Sequence, residues 1–317
     1  MKKVLLLWYT EGKNFGDMLI YQTVKDYLLE QQLKCDYIDV GLPCHEIFEK
    51  ANNYDFLLFA GGGILERYVP NIVKHFEDDF EELHVPYGIV GVSIGKFDYS
   101  QYYDGIRSWV NNATFFYTRD QFSADKLNEI CKKNKAIANV DVVWANRNIY
   151  KTNDMNLGKI GINIRDAPYQ DLTSNIDLKV MNRIVQQNNI SIFIPDQSQF
   201  FKEDFNMNQY SVSEVIQQIS KCNLIVAMRY HVILVAAIMG IPSVPVVYCN
   251  KVHELSCQID LTDYEVDISQ FEKIDCKVNE ITENYDKIKK QMILKVKLMQ
   301  RCAKKMLYDI IEIIKMN

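Results

Sequence analysis

With 317 residues, 48% of them hydrophobic, the chain has enough apolar material to fill one large or two medium cores. Its formal net charge is −5, which excludes a global basic field of the kind that holds nucleic acid. Eight cysteines, at 35, 44, 131, 222, 249, 257, 276 and 302, contain no C-x-x-C pair, and five lie in or beside apolar text, as buried thiols of a reducing compartment do.

The N-terminus, MKKVLLLWYTEG, has a basic start, a short apolar run and no small-residue cleavage site. It reads as a first strand over residues 3–9 and not as a signal peptide. From there strands alternate with helical stretches, the pattern of a parallel sheet. A glycine-bearing loop over 11–17 precedes a helix over 18–30. Strands follow at 37–40 and 55–60, the second ended by Gly61-Gly62-Gly63. The spacing then predicts a helix over 70–83 with a wet acidic face, a strand over 87–94, a helix over 102–111 and a strand over 113–118. A helix over 123–133 and a short strand over 141–144 close this half.

Residues 146–156 are polar and aperiodic, and read as a linker between a domain over 1–148 and a second over 157–280. The second block predicts a strand over 159–165, a helix over 178–187, a strand over 190–195, a polar loop over 199–208 and a helix over 212–220. Next comes NLIVAMRYHVILVAAIMGIPSVPVVYCNK, which reads strand, polar turn, apolar helix, Gly-Ile-Pro break, strand. Its long uncharged run carries Gly240, Pro242, Ser243 and Pro245 and splits into a helix and a buried strand, so it is not a membrane span. The last segment, 281–317, is helical text. Between Lys287 and Lys305 it holds eight basic residues and no acidic one. Two readings stand: a helix packed on the body with a wet basic face, or a patch that meets anionic membrane or a lipid-linked substrate.

Arg229 and His231 interrupt apolar text at a strand-to-helix junction, where ligands sit in open α/β sheets and a helix N-terminus favours anions. Arginine offers a planar fork of donors to phosphate or carboxylate, and histidine exchanges a proton near neutral pH. Arg119, at another strand end, is either an anion ligand or half of a structural ion pair, while Asp120 and Ser123 cap the helix after it. Arg165, ending GINIR, is a third cationic candidate. Asn14 and Asp17 flank a tight turn, and Asp17 either caps a helix or orients a substrate hydroxyl. Gly61, Gly62 and Gly63 let backbone approach a ligand or simply turn the chain. Lys251 and His253 follow the last strong strand as further candidates for the site. The five histidines form no H-x-x-x-H or H-x-H group, so no metal is expected. Neither a nucleotide fingerprint nor G-x-S-x-G occurs.

The set NFGDMLI at 14–20, LLFAGGGIL at 57–65, GVSIG at 91–95, YTRDQFS at 117–123, GINIR at 161–165 and NLIVAMRYHVILVAAIMGIPSVPVVYCNKV at 223–252 resembles the polysaccharide pyruvyl transferase family. Tyr230 stands where that family usually has leucine, and Asn250 where aspartate is common. The resemblance implies two Rossmann-like domains facing across a cleft, as in the glycosyltransferase-B architecture. It implies transfer of a pyruvyl group from phosphoenolpyruvate, a substrate and not a cofactor, to two hydroxyls of a sugar, forming a cyclic ketal and releasing phosphate. The acceptor would be a saccharide of a cell-surface polysaccharide, in some systems lipid-linked, and the setting the cytoplasm or the inner face of the membrane. His231 would take the family's acid/base role, Arg229 a donor-binding role, and Arg119 that of an earlier donor-binding arginine. A nucleotide-sugar glycosyltransferase of similar fold and a non-catalytic polysaccharide-assembly protein remain the alternatives.

Overall fold

The chain opens on β1, Lys3–Trp8, buried from Val4 onward, as a strand covered on both faces of a parallel sheet must be. The computed structural model describes residues 1–9, 14–65, 69–150, 159–164, 192–193 and 210–317. Helix α1, Phe15–Glu30, starts earlier than the sequence predicts because Asn14 Oδ1 accepts the Gly16 N–H at 2.9 Å. Asn14 to Asp17 is therefore a cap and first turn, not a loop. After β2, Lys34–Asp39, comes α2, Cys44–Ala51, which the sequence reading missed although Cys44, Ile47, Phe48 and Ala51 make a buried stripe.

Strand β3, Phe56–Leu65, runs through the three glycines instead of ending before them. Gly61 and Gly62 sit at φ +58° and +89°, and the register with the next strand shifts beyond Gly62. This is a bulge that only glycine enters without strain. The predicted helix over 70–83 is broken into α3, Asn71–Lys74, α4, Phe76–Asp79, and a 3-10 turn, Phe80–Glu82. Acidic pairs four apart, Glu77 with Glu81 and Asp78 with Glu82, oppose one continuous helix there. Strand β4, Tyr87–Ile94, is buried throughout and matches its predicted bounds. It is followed by α5, Tyr103–Asn111, β5, Phe116–Thr118, α6, Gln121–Cys131, and β6, Ile137–Ala138. The strand expected over 141–144 is instead a 3-10 turn, Val142–Ala145, capped by Asp141.

The second set comprises β7, Ile160–Asn163, β8, Ile192–Phe193, α7, Val212–Ser220, β9, Leu224–Ala227, α8, Tyr230–Ile238, and β10, Ser243–Val247. Beyond it lie α9, Asn250–Ile259, β11, Val266–Asp267, α10, Ile274–Glu283, and α11, Tyr285–Met316. The helix expected over 178–187, the loop over 199–208 and Arg165 lie outside the described residues.

Among the described residues the strands pair in parallel in two sheets, ordered β2-β1-β3-β4-β5-β6 and β11-β10-β9-β7-β8. Read in chain order the two are alike: the second strand lies outside the first, and the third and later strands lie on its other side. The strand order of each sheet therefore reverses once, between β1 and β3 and between β7 and β9, the places where open α/β sheets bind ligands. The chain divides into two compact units, Met1–Asn146 with Gln300–Asn317, and Arg147–Met299. The end of α11 belongs to the first: Tyr308 meets the ring of Tyr27 at 5.7 Å, and Lys315 donates to Gln31 at 3.1 Å.

Cys44, Cys131 and Cys222 are buried, whereas Cys257 and Cys276 are exposed. Burial pushes the Cys35 thiol up to about 12 and Cys131 to about 11, so both stay protonated at neutral pH. No helix among the described residues is long and apolar enough to cross a membrane.

Candidate functional site

At the switch point of the second unit, β9 ends at Ala227, and beyond Met228 Arg229 takes the N-cap position of α8 with extended backbone, φ −78° and ψ 122°. Asn163, the last residue of the neighbouring β7, holds this junction. Its backbone oxygen accepts the Met228 N–H at 2.9 Å, and its Oδ1 accepts the Arg229 N–H at 3.2 Å. The Arg229 carbonyl then accepts from Val232 and Ile233 at 3.1 and 3.2 Å, closing the first turn. Tyr230 is buried, with its ring edge-on to His231 at 5.0 Å between centroids. Arg229 and His231 on either side of it are half-buried, while 232–237 are buried throughout. The apolar helix is thus anchored deep, and its polar groups gather at the end that favours anions.

Lys251 is half-buried in the first turn of α9, at the carboxyl end of β10, and β10 pairs with β9. The fold therefore places Lys251 at a strand end next to that of Arg229 and His231. His253 is engaged elsewhere: its Nδ1 lies 3.0 Å from Glu265 Oε2. A guanidinium, an ammonium and an imidazole at neighbouring strand ends suit a small anionic ligand that gains or loses a proton. No group of acidic, histidine and cysteine side chains among the described residues is arranged to hold a metal ion.

Asn163 was not among the residues the sequence singled out. Its signal was a polar side chain inside the apolar strand text GINI, which needs a buried partner. Asn163→Leu is expected to cost about 1–3 kcal/mol by stranding the Arg229 N–H. Thermal unfolding checks this, and an unchanged midpoint would show that the N–H finds another acceptor.

In the first unit, α1 and the β3 bulge bring Asp17 and the glycines together at the β1/β3 switch point. Asp17 is half-buried, and a Cβ built on Gly62 would lie 3.0 Å from its Oδ1. A Cβ on Gly61 would lie 2.9 Å from Ile20 Cγ2. Close helix packing thus accounts for glycine at 61 and 62. Asn14 is exposed and caps α1.

Arg119 is only 2% exposed. Its Nε lies 3.9 Å from Asp120 and its guanidinium 3.7 Å from Asp141, both carboxylates being buried as well. Asp120 caps α6 by accepting the Ser123 N–H at 2.7 Å, and Asp141 accepts the Val143 N–H at 2.9 Å. Ser123 Oγ in turn accepts the Ile94 N–H at 3.1 Å. The cluster ties the ends of β4 and β5 to the 3-10 turn. Of the two readings of Arg119, this is the geometry of the ion pair.

The family model for polysaccharide pyruvyl transferase matches residues 14–250, a span that includes both switch points. No curated protein gives a significant match. Similar solved structures include UDP-GlcNAc 2-epimerase from Neisseria meningitidis bound to UDP-GlcNAc, at 10% identity and TM-score 0.61, covering 98% of this chain and 100% of that one. A glycosyltransferase from Rickettsia africae ESF-5 aligns at 13% identity and TM-score 0.60, covering 99% and 98%. An alpha-glucosyltransferase in complex with UDP aligns at 10% identity and TM-score 0.59, covering 98% and 100%. Likeness at such identities shows the fold alone: two Rossmann-like units of the glycosyltransferase-B class.

Proposed function

We infer the reaction from one premise: this chain belongs to the polysaccharide pyruvyl transferase family. We propose that it moves the pyruvyl group of phosphoenolpyruvate onto two hydroxyls of one sugar, closing a cyclic ketal and releasing phosphate. The observation that carries this reading is Arg229-x-His231 at the start of α8, half-buried at the β7/β9 switch point and within the matched span.

The donor carries a phosphate and a carboxylate, which calls for more than one cation. Arg229 and Lys251 supply two from the second unit, and Arg165 is the proposed third. His231 gives a proton to C3, which becomes a methyl group, and C2 turns electrophilic. One sugar hydroxyl adds to C2 and returns its proton to the imidazole. The C2–O bond to phosphate then breaks, the second hydroxyl adds, and its proton leaves with phosphate. Atoms balance without any further cofactor. In the first unit, Asp17 and Asn14 beside Gly61, Gly62 and Gly63 are proposed to meet the acceptor saccharide, free or lipid-linked. Arg119 is left out of the donor's ligands because its charge is shared with two buried carboxylates. The proposed setting is the cytoplasm, where phosphoenolpyruvate is made.

A nucleotide-sugar glycosyltransferase is the second reading, favoured by the shared fold of structures holding UDP and UDP-GlcNAc. Phosphoenolpyruvate is expected to raise the thermal midpoint of the purified protein and to release phosphate only when a saccharide acceptor is added. Stabilisation by a UDP-sugar, with no effect of phosphoenolpyruvate, would transfer the assignment to the second reading.

A further inference from the structure

Helix α11 has a buried seam and an opposite face in solvent. Ile288, Met292, Val296, Ala303, Met306 and Ile310 form the seam, each no more than 4% exposed. At 3.6 residues per turn, Lys287, Lys290, Leu294 and Leu298 fall within an arc of roughly 80° on the other side, and Lys305, in line with them, is paired with Asp309. Leu294 is 62% exposed and Leu298 46% exposed. Two leucines one turn apart thus give the solvent-facing cationic stripe an apolar component. Lys289 is turned out of this stripe and lies over the ring of Tyr285 at 5.6 Å.

We propose that this face is a membrane-docking surface, by which the protein lies flat on an anionic phospholipid bilayer with Leu294 and Leu298 in the headgroup region. The charge pattern selects the partner: Lys287 to Lys305 holds eight basic residues and no acidic one, in a chain whose net charge is −5. Positive potential is thus concentrated on one helix, where anionic lipid attracts it. A second copy of the helix would bring like charges together, so self-association is opposed. A soluble polyanion would satisfy the cations but leave the leucines in water. Only a surface with phosphates over an apolar interior takes both. The surface does not depend on the chemistry proposed for Arg229 and His231, and it fits a reaction whose acceptor is held at a membrane.

The test is sedimentation of the full chain with vesicles of phosphatidylcholine alone or mixed with phosphatidylglycerol, at low and high salt. Binding is expected only to the anionic vesicles and is expected to fall with salt. Lys287→Gln with Lys290→Gln should weaken it roughly 30-fold. Leu294→Gln with Leu298→Gln, which leaves charge unchanged, should weaken it roughly 10-fold or more. Both variants should keep the wild-type thermal midpoint, since these side chains are exposed. Equal binding to both vesicles, or binding to neither, would overturn the proposal. So would a leucine variant that binds like wild type, heparin binding as tight as vesicle binding, or variants that lose stability because the face is structural.

Discussion

His231→Ala is expected to lower the turnover of pyruvyl transfer roughly 100- to 10,000-fold, the range lost with a positioned general acid. The loss follows from where the charge changes. In the proposed reaction phosphoenolpyruvate takes up a hydroxyl at C2 once C3 has taken a proton, and His231 is the imidazole that the second unit carries at its switch point. Tyr230 is buried beside it, and Asn163 fixes the backbone one residue earlier. His231 is therefore carried by a rigid junction; the residue is half-buried, with its Nε2 shielded from solvent. Its contribution would be made in the transition state, so the loss should appear in kcat with the donor KM little changed. The thermal midpoint should stay near that of the wild type, because a half-buried side chain at a helix start contributes little to packing. Steady-state kinetics on the purified variant decide the matter. Turnover within a fewfold of wild type would remove His231 from the chemistry while leaving the family assignment intact.

The parts of the fold that were legible in the sequence are those where one local signal agrees with its surroundings. Tyr87–Ile94 is an apolar run broken only by Ser93 and is buried on both faces; Val212–Ser220 follows a Ser211–Glu214 capping box. Helix α9 carried a signal that was passed over: Val252, Leu255, Ser256 and Ile259 form a helical stripe, masked by the polar Asn250, Lys251, His253 and Glu254. Strands β6 and β11 are two residues each and too short to show any period. The candidate site divides the same way. Arg229-Tyr230-His231 stands out because it interrupts apolar text, whereas Asn163 is a single polar letter whose task exists only once β7 and β9 pair. Arg119 shows the deeper limit. A cation at a strand end reads the same in sequence whether it faces solvent or is closed over by a carboxylate arriving from Asp141, further along the chain.

That closure gives the second large effect. Arg119→Met is expected to destabilise the first unit by about 3–5 kcal/mol, the cost of breaking a buried ion pair from one side. Methionine keeps much of the arginine's length and apolar stem, so the loss reports charge more than volume. It leaves Asp120 and Asp141 buried without the guanidinium that lay 3.9 and 3.7 Å away. Both carboxylates also cap the segments after β5 and β6, so the strain should loosen the start of α6 and the 3-10 turn together. For a unit of this size the midpoint should fall by roughly 2–4 °C per kcal/mol. Adding Asp141→Asn should restore part of the loss, because a neutral amide keeps the Val143 cap and removes one buried charge. A double-mutant cycle over Arg119 and Asp141 measures that coupling. A donor-binding arginine would behave in the opposite way: Arg119→Met would keep its midpoint, show no coupling to Asp141 and raise the KM for phosphoenolpyruvate. Burial and two carboxylates within ion-pair distance make the first pattern the expected one.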